Sequence, residues 1–356
     1  MKILVTGGAG FIGSALCRRL LNDGDSVVNL DKLTYAASGT ALADVEARAE
    51  YAFVHGDIGS ADSVRSLLEA HEPDAVINLA AETHVDRSID SAEPFIQTNV
   101  VATATLLDTV RRWLAGRPEE ARRAFRFLHV STDEVFGSLG EQGSFTETSP
   151  YDPRSPYSAS KAASDHLASA WHHTYGLPTI ISNCSNNYGP YQFPEKLIPL
   201  IILNALERRP LPVYGDGLNV RDWLHVDDHA AALALIVRRG EPGRSYGVGA
   251  RQERSNLAVV EAICDLVDEA TGEVAGGPRR KLIQFVADRP GHDRRYAMDP
   301  TRLETELGWR PTYDFERGLA ETVGWYLDRQ DWWRPLRERY EGDRLGLQRT
   351  EAAVAR

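Results

Sequence analysis

A glycine-rich loop near the amino terminus limits the possible folds of this chain more than any other feature. The apolar run at residues 2–6 predicts a buried strand, and glycines stand at positions 8, 10 and 13 before a helical pattern begins. A G-x-G-x-x-G loop between a strand and a helix lets the backbone approach a pyrophosphate, which the free N–H groups of the helix then bind. The loop therefore predicts a Rossmann-type doubly wound parallel α/β sheet with a dinucleotide site.

The type of dinucleotide depends on an acid after the second predicted strand. This strand covers residues 26–30 and ends in Asp31, about 20 residues beyond the glycine loop. A carboxylate there accepts hydrogen bonds from both hydroxyls of the adenosine ribose and repels a 2′-phosphate. We therefore predict NAD rather than NADP, although the neighbouring Lys32 counts against that choice. Asp57 and Ile58 follow the third predicted strand and are expected beside the adenine.

Polar side chains directly follow the predicted fifth strand, residues 125–130. Thr132, Asp133 and Glu134 would lie at the carboxyl edge of the sheet, where ligands bind in open α/β folds. A solvated Asp-Glu turn is the alternative when the pair is taken alone. Beside a dinucleotide site, adjacent carboxylates in different environments suit a reaction that needs both an acid and a base, such as removal of water.

A tyrosine and a lysine follow one helical turn apart. Ser155 and Pro156 form a typical helix start, which places Tyr157 and Lys161 on one face of the helix. Such a pair also occurs by chance on many helices. Beside a dinucleotide it suits hydride removal from an alcohol, with tyrosinate as base and lysine holding the cofactor ribose. Lowering a tyrosine pKa from about 10 to neutrality requires roughly 4 kcal/mol, which one ammonium about 4 Å away supplies at an effective dielectric near 20.

Composition excludes several other classes of protein. The 356 residues carry a formal net charge of −11, which argues against a nucleic-acid-binding surface. Cys17, Cys184 and Cys264 are too few and too scattered for a disulfide framework and suit buried apolar positions. No apolar run approaches the roughly 20 residues of a membrane span, and the chain opens with a strand rather than a signal peptide. We expect a cytoplasmic protein, and we expect no metal site.

A change of composition near residue 186 predicts a second, smaller domain. Proline and aromatic residues become frequent there, and basic groups gather between residues 288 and 296. The predicted division is an NAD-binding Rossmann domain at 1–185 plus about 226–245, a discontinuous substrate domain at about 186–225 and 246–330, and a tail at 331–356 whose last residues, 345–356, are expected to be disordered.

Longer motifs show a family resemblance. The glycine loop with Tyr157 and Lys161 resembles the extended short-chain dehydrogenase/reductase family, and the chain from residue 2 to about 325 resembles its nucleotide-sugar 4,6-dehydratases. Phe136 and Thr83 depart from that family's usual tyrosine and serine, but Thr83 keeps a hydroxyl. The matching blocks are residues 31–36, 80–89, 131–137, 183–190, 193–197, 221–223 and 289–293. The resemblance implies a dTDP-glucose substrate that is oxidised at C4, loses water across C5 and C6 and is reduced at C6, while NAD stays bound throughout.

The resemblance also implies roles for individual residues. Asp133 would be the acid at the C6 oxygen and Glu134 the base at C5, while Thr132 would bind the C4 oxygen beside Tyr157. Two arginines suit a diphosphate through charge-assisted hydrogen bonds, and Tyr214 would face the base. The NAD-binding positions are Gly7, Gly10, Phe11, Ile12, Gly13, Asp31, Lys32, Leu33, Thr34, Asp57, Ile58, Leu79, Ala80, Ala81, Thr83, Thr98, Tyr157, Lys161 and Asn187. The substrate-binding positions are Thr83, Thr132, Asn186, Glu195, Lys196, Leu197, Pro212, Tyr214, Arg221, Asn256, Arg289, His292 and Tyr296.

The predicted helices at residues 94–114 and 157–175 carry more apolar surface than one face of a sheet covers. The resemblance implies that these helices pair with those of a second copy, which gives a homodimer joined by a four-helix bundle.

Other functions remain possible at this point. A nucleotide-sugar 4-epimerase shares the tyrosine and lysine but does not need the acid–base couple for water loss. GDP-mannose 4,6-dehydratases resemble an NADP-binding pattern without aspartate at position 133, and CDP-glucose 4,6-dehydratases have lysine at position 134. A non-catalytic NAD-binding protein is the alternative from another class, and the intact Tyr157, Lys161 and carboxylate pair argue against it.

Overall fold

The computed structural model of the protein describes residues 1–272 and 276–339. In this part of the chain, no helix has both the length and the apolar character to cross a membrane. The predicted disorder of residues 345–356 lies outside the described residues.

The strands are β1 Lys2–Thr6, β2 Ser26–Asp31, β3 Tyr51–His55, β4 Ala75–Asn78, β5 Arg126–Thr132, β6 Thr179–Cys184, β7 Asn186–Tyr188, β8 Leu211–Tyr214, β9 Val220–His225, β10 Ser245–Val248, β11 Glu253–Ser255 and β12 Ile283–Val286. The helices are α1 Phe11–Asn22, α2 Ala61–His71, α3 Val85–Asp90, α4 Glu93–Phe95, α5 Thr103–Ala115, α6 Glu119–Ala124, α7 Pro156–Tyr175, α8 Leu197–Leu206, α9 Val226–Arg239, α10 Asn256–Thr271, α11 Phe315–Asp328 and α12 Gln330–Arg339.

Seven parallel strands form the central sheet, in the order β3-β2-β1-β4-β5-β6-β10. The strand order reverses between β1 and β4, so the crevice at the carboxyl ends of these two strands is the expected ligand site of a doubly wound fold. The predicted Rossmann-type sheet is confirmed.

Helices cover both faces of this sheet. Helices α1 and α9 pack together against one face, and α2, α5 and α7 pack as a group on the other. Strands β1, β4 and β6 are almost entirely buried, as expected for parallel strands covered on two sides. At the start of α7, Ser155 and Ser158 form a reciprocal capping box and Pro156 occupies the first position. These local signals fix where α7 begins, and they place Tyr157 in its first turn.

A second apolar core lies outside the central sheet. Strand β9 pairs with β7 and β11, β8 pairs with β12, and helices α8, α10, α11 and α12 pack around them. By contrast, β10 joins the central sheet and α9 packs on it, although both lie between these segments in the chain. The predicted tail at 331–356 begins as a packed helix, because α12 buries Trp332, Trp333 and Leu336 in the second core.

The helix predicted at residues 94–114 is interrupted. The short helix α4 leads into a π-helical segment, Ile96–Ala102, before α5 begins at Thr103. The wider turn buries Thr98 and Asn99, and Asn99 donates to the Glu82 carbonyl at 3.0 Å and to the Ser160 hydroxyl at 2.9 Å. A π segment often occurs at a functional site, and here it ties α7 to the loop that follows β4.

Candidate active site

The glycines of the loop after β1 are suited to their positions for different reasons. Gly7 has a left-handed φ of +72°, which favours glycine. A Cβ on Gly8 would lie 2.3 Å from the Asn29 side chain, and one on Gly13 would lie 2.1 Å from the Gly7 carbonyl oxygen. A Cβ on Gly10 would meet only the Gly7 oxygen, at 3.3 Å, and Gly10 lines the adjoining cavity. Gly8 and Gly13 therefore allow close packing, while Gly10 leaves the loop open toward a ligand.

A cavity of about 300 Å³ lies at the carboxyl ends of the central strands. Its walls include residues that follow β1, β2, β4, β5 and β6, so it occupies the crevice that the strand order predicts. Leu33 is the one predicted NAD-binding residue outside the lining. The predicted residues that line it are Gly7, Gly10, Phe11, Ile12, Gly13, Asp31, Lys32, Thr34, Asp57, Ile58, Leu79, Ala80, Ala81, Thr83, Thr98, Thr132, Glu134, Tyr157, Lys161, Asn186, Asn187, Glu195 and Lys196.

The surroundings of Asp31 fit a dinucleotide with a free 2′-hydroxyl. Its carboxylate accepts hydrogen bonds from the backbone N–H of Ala9, at 2.9 Å, and of Leu33, at 2.7 Å. Burial raises the pKa of Asp31, and these two hydrogen bonds act against that shift. The ammonium of Lys32 lies 3.3 Å from Asp57 rather than beside Asp31. Lys32 therefore has an acidic partner of its own, which favours the NAD type of site over the NADP type.

The two adjacent carboxyl groups have different surroundings. They begin a 3₁₀ turn, Asp133–Phe136, in which the Thr132 hydroxyl accepts a hydrogen bond from the backbone N–H of Glu134. Asp133 is 1% exposed, and burial together with the neighbouring charge of Glu134 raises its pKa well above the usual value. Burial also raises the pKa of Glu134, but Arg289, Arg221 and Lys196 oppose that shift. The pKa of Asp133 is thus raised further than that of Glu134, so Asp133 is the member of the pair that keeps its proton more firmly.

The surroundings of Tyr157 differ from the prediction. Burial and the charge of Glu134 raise the pKa of Tyr157 well above its usual value, while a hydrogen bond with Thr132 acts to lower it. We predicted a net lowering by Lys161, and in the protein alone that prediction is wrong because desolvation of the phenolate outweighs the attraction. The ammonium of Lys161 donates to the Val130 carbonyl at 2.8 Å.

Most predicted substrate residues lie beyond the cavity, on the elements of the second core. Asp86, at the start of α3, links two of them to the central sheet: it lies 3.5 Å from the Arg289 guanidinium and accepts from the Tyr214 hydroxyl at 3.2 Å. The guanidinium of Arg221 lies over the ring of Tyr296 at 4.2 Å. Asp86 was missed as a site residue because nothing in its local sequence indicates contacts with residues more than 120 positions away.

The other predicted substrate residues take structural positions near these groups. Leu197 and Asn256 begin α8 and α10, and Pro212 lies within β8. The ring of His292 packs edge-on against Tyr214, and its Nδ1 lies 2.7 Å from Asp288. The structure therefore brings basic and aromatic side chains to the Glu134 side of the site, where Arg289, Arg221 and Lys196 act on one carboxylate.

Glu195 is engaged by protein groups. Its carboxylate accepts from the Tyr35 hydroxyl at 3.0 Å and from Arg87 Nε at 3.0 Å, and the Arg87 guanidinium lies 4.0 Å above the Tyr35 ring. These contacts join the loop after β2 to the loop before α8, and both loops line the cavity. These protein contacts fix the position of Glu195 in the cavity wall, and its predicted contact with the sugar stays a prediction.

A dinucleotide-type glycine loop and a Tyr–Lys pair on α7, beside two adjacent carboxyl groups, are typical of an extended short-chain dehydrogenase/reductase. The family model for GDP-mannose 4,6 dehydratase matches residues 4–322. The probable dTDP-glucose 4,6-dehydratase of Sinorhizobium fredii is 58% identical over 348 residues, which cover 98% of this chain and 99% of that protein. The dTDP-glucose 4,6-dehydratase of Xanthomonas campestris (strain B100) is 59% identical over 92% of this chain and 94% of its own length.

A solved structure gives the same result. DesIV, a dTDP-glucose 4,6-dehydratase from Streptomyces venezuelae with NAD and TYD bound, superposes with a TM-score of 0.86 at 46% identity, and the match covers 94% of this chain and 100% of that one. The chain belongs to the dTDP-glucose 4,6-dehydratase family, and the resemblance found in the sequence is confirmed.

Proposed function

We propose that this protein converts dTDP-glucose to dTDP-4-keto-6-deoxyglucose and water, using NAD that is regenerated in each turnover. The observation that carries the proposal is the pair Asp133–Glu134 at the carboxyl edge of the sheet, whose different surroundings raise the pKa of Asp133 further than that of Glu134. A 4-epimerase has no use for such a couple, and a non-catalytic protein would not need to bury an acid beside Tyr157.

The cofactor residues of this chain suit NAD. Gly10 leaves the loop open toward the cavity and Asp31 stands at its ribose end. When bound, NAD would accept a hydride from the sugar and later return one. The contacts among Tyr35, Glu195 and Arg87 join the two loops along the cavity, which supports the proposal that the cofactor stays bound while the sugar is oxidised, dehydrated and reduced.

We assign the chemistry at C4, C5 and C6 to four side chains, three of which transfer protons. Tyr157 takes the proton of the C4 hydroxyl, and Thr132, which hydrogen-bonds with Tyr157, binds the C4 oxygen. Oxidation at C4 makes the C5 proton acidic. Glu134, whose ionised form three cations stabilise against the effect of burial, removes that proton, while protonated Asp133 gives its proton to the departing C6 hydroxyl.

Substrate binding is assigned to the elements of the second core. Arg221 and Arg289 are proposed to bind the diphosphate by charge-assisted hydrogen bonds, and Tyr214 is proposed to face the thymine. The positive field that these arginines and Lys196 place around Glu134 supports this assignment, because a diphosphate requires cations that the net charge of −11 does not otherwise supply.

Isotope transfer tests the reaction directly. With dTDP-glucose carrying deuterium at C4, mass spectrometry should find a product that has lost one water and carries the deuterium at C6 of the same molecule. Unchanged mass with inverted C4 would indicate an epimerase, no reaction would indicate a binding protein, and label lost to solvent would rule out return of the same hydride.

We also propose that the protein is a cytoplasmic homodimer. Ile96 and Val101 are 43% and 49% exposed on the π segment beside α7, which supports a helical interface at this face. All three cysteines are free and buried, which fits a reducing compartment. Sedimentation at micromolar concentration should give the mass of a dimer, and replacing both Ile96 and Val101 with glutamate should give a monomer. If the parent protein sediments as a monomer, the proposed dimer interface is wrong.

A further inference from the structure

A buried carboxylate lies one helical turn beyond Lys161, and the proposed chemistry makes no use of it. Asp165 is 1% exposed on α7. Its Oδ2 accepts hydrogen bonds from Ser131 Oγ at 2.9 Å, Asn183 Nδ2 at 3.1 Å and the Tyr151 hydroxyl at 3.2 Å. Three donors converge on this one oxygen, so the carboxyl group of Asp165 is fixed in place between α7 and the segments that carry these donors.

These hydrogen bonds join α7 to the strands that carry the other reacting groups. Ser131 immediately precedes Thr132, Asp133 and Glu134 at the end of β5. Asn183, near the end of β6, donates through the same nitrogen to the Thr132 carbonyl at 3.2 Å. Asp165 therefore connects the helix that bears Tyr157 to the segment that bears the carboxylate pair.

The carboxyl group of Asp165 also acts on Lys161. Burial lowers the pKa of the Lys161 ammonium, and Asp165 is the strongest of the charges that oppose this shift, followed by Cys184 of β6. The ammonium donates to the Val130 carbonyl, a neutral partner that does not balance its charge. Without the carboxylate, desolvation would act on Lys161 with little opposition.

The remaining titratable neighbour of Asp165 is His129 of β5, whose Nε2 lies 3.4 Å from Asp165 Oδ1. His129 Nδ1 faces the donating amide of Asn78 at 3.3 Å, so Nδ1 carries no proton. Burial and the charge of Lys161 also lower the pKa of His129. His129 therefore adds no positive charge beside Asp165.

We propose that Asp165 is a positioning residue of the dehydratase. It keeps Lys161 in its ammonium form, and it holds α7 in register with the segment Thr132–Asp133–Glu134. The inference rests on the proposed function, because it assigns Asp165 a task toward groups whose chemistry is proposed above.

Asp165→Asn keeps the shape of the side chain and removes its charge. We expect kcat to fall about 10- to 100-fold, by analogy with the loss of a residue that orients a metal ligand, with little change in KM. Because the pKa of Lys161 should fall, the ammonium is lost at lower pH, and the alkaline limb of the kcat profile should move to lower pH. In a Lys161→Met background, Asp165→Asn should leave the position of the alkaline limb unchanged.

A matched control is available in Asp228. It is a buried aspartate whose carboxylate accepts from Thr312 N, Thr312 Oγ1 and Tyr313 N, at 2.7 to 3.0 Å. Asp228→Asn should lower Tm and leave the pH profile in place. Asp165→Glu, which keeps the charge, should return the alkaline limb toward its parental position even if the rate remains low.

Calorimetric titration of the protein with NAD across the same pH range reports on the ionisation of Lys161 in the absence of any sugar. If the parent dehydrates dTDP-glucose and neither the kinetic nor the NAD-binding profile moves in Asp165→Asn, the role of Asp165 is overturned. If the NAD-binding profile moves but the parent produces no dehydrated sugar, the proposed function fails and the role of Asp165 stands.

Discussion

Replacing Asp133 with asparagine and Glu134 with glutamine in one chain is expected to stop the reaction after C4 oxidation. Neither amide can transfer a proton, and each general acid or base typically accounts for a factor of about 10² to 10⁴ in rate. Tyr157 and Thr132 remain, so the sugar should still be oxidised and reduced nicotinamide should accumulate on the enzyme. Stopped-flow absorbance measures that accumulation, and mass spectrometry of the sugar measures water loss.

The stability of this double variant is its internal control. The pKa of Asp133 is raised in the folded protein, so its contribution to stability is complete below the unfolded value of about 4 and is lost as pH rises through the folded pKa. Asparagine cannot ionise and carries no such cost. At mildly alkaline pH the variant should therefore melt at a Tm no lower than that of the parent. Water loss at the parental rate in a well-folded double variant would refute the assignment of the acid and the base.

The parts of the site that follow from local sequence were predictable. A strand, a glycine loop and a helix in succession leave few alternatives to a dinucleotide fold. Gly7, Gly10, Gly13, Asp31 and Ala80 line the cavity at the carboxyl ends of β1, β2 and β4. The capping box at Ser155 likewise marks the start of α7 from the sequence alone. Each of these features depends on interactions within a few residues.

The features that depend on distant contacts were not predictable. Asp86 bridges Tyr214 and Arg289, and Glu195 binds Tyr35, at separations of 128 to 203 positions in the chain. No periodicity links such residues, so neither the bridge nor the engagement of Glu195 follows from the pattern of either segment. Helix α12 was assigned to the tail because its sequence is rich in charged residues, although Trp332 and Trp333 within it are buried.

The pKa of Tyr157 was not predictable from the sequence for a similar reason. Pairing Tyr157 with Lys161 gives the correct sign for one interaction, but the sequence does not report how completely the phenol is removed from water. In the structure, desolvation and Glu134 raise the pKa of Tyr157, and Lys161 donates to Val130. The protein alone therefore favours the protonated form of Tyr157, and we propose that the positive charge of a bound nicotinamide ring would favour its ionisation.

Tyr157→Phe should consequently block the reaction before any oxidation. The change removes one hydroxyl from a buried ring and leaves Asp133 and Glu134 in place. We expect the rate of C4 oxidation to fall by about 10² to 10⁴. The measurement is best made in the Asp133→Asn, Glu134→Gln background, because the later steps are blocked there. In that background, reduced nicotinamide accumulates whenever C4 oxidation occurs, and its absence reports the loss of oxidation.

The pH dependence of that rate separates a base from a merely structural ring. Because ionisation of Tyr157 is unfavourable at neutral pH, oxidation with the tyrosine present should accelerate as pH rises, whereas in the phenylalanine variant this acceleration should disappear. Tyr175→Phe, at a residue 53% exposed near the end of α7, should retain both the rate and its rise with pH. If the Tyr157 variant oxidised the sugar more slowly but with the same rise, the proton would be leaving to another group, and Thr132, which hydrogen-bonds with the phenol, would be the first to test.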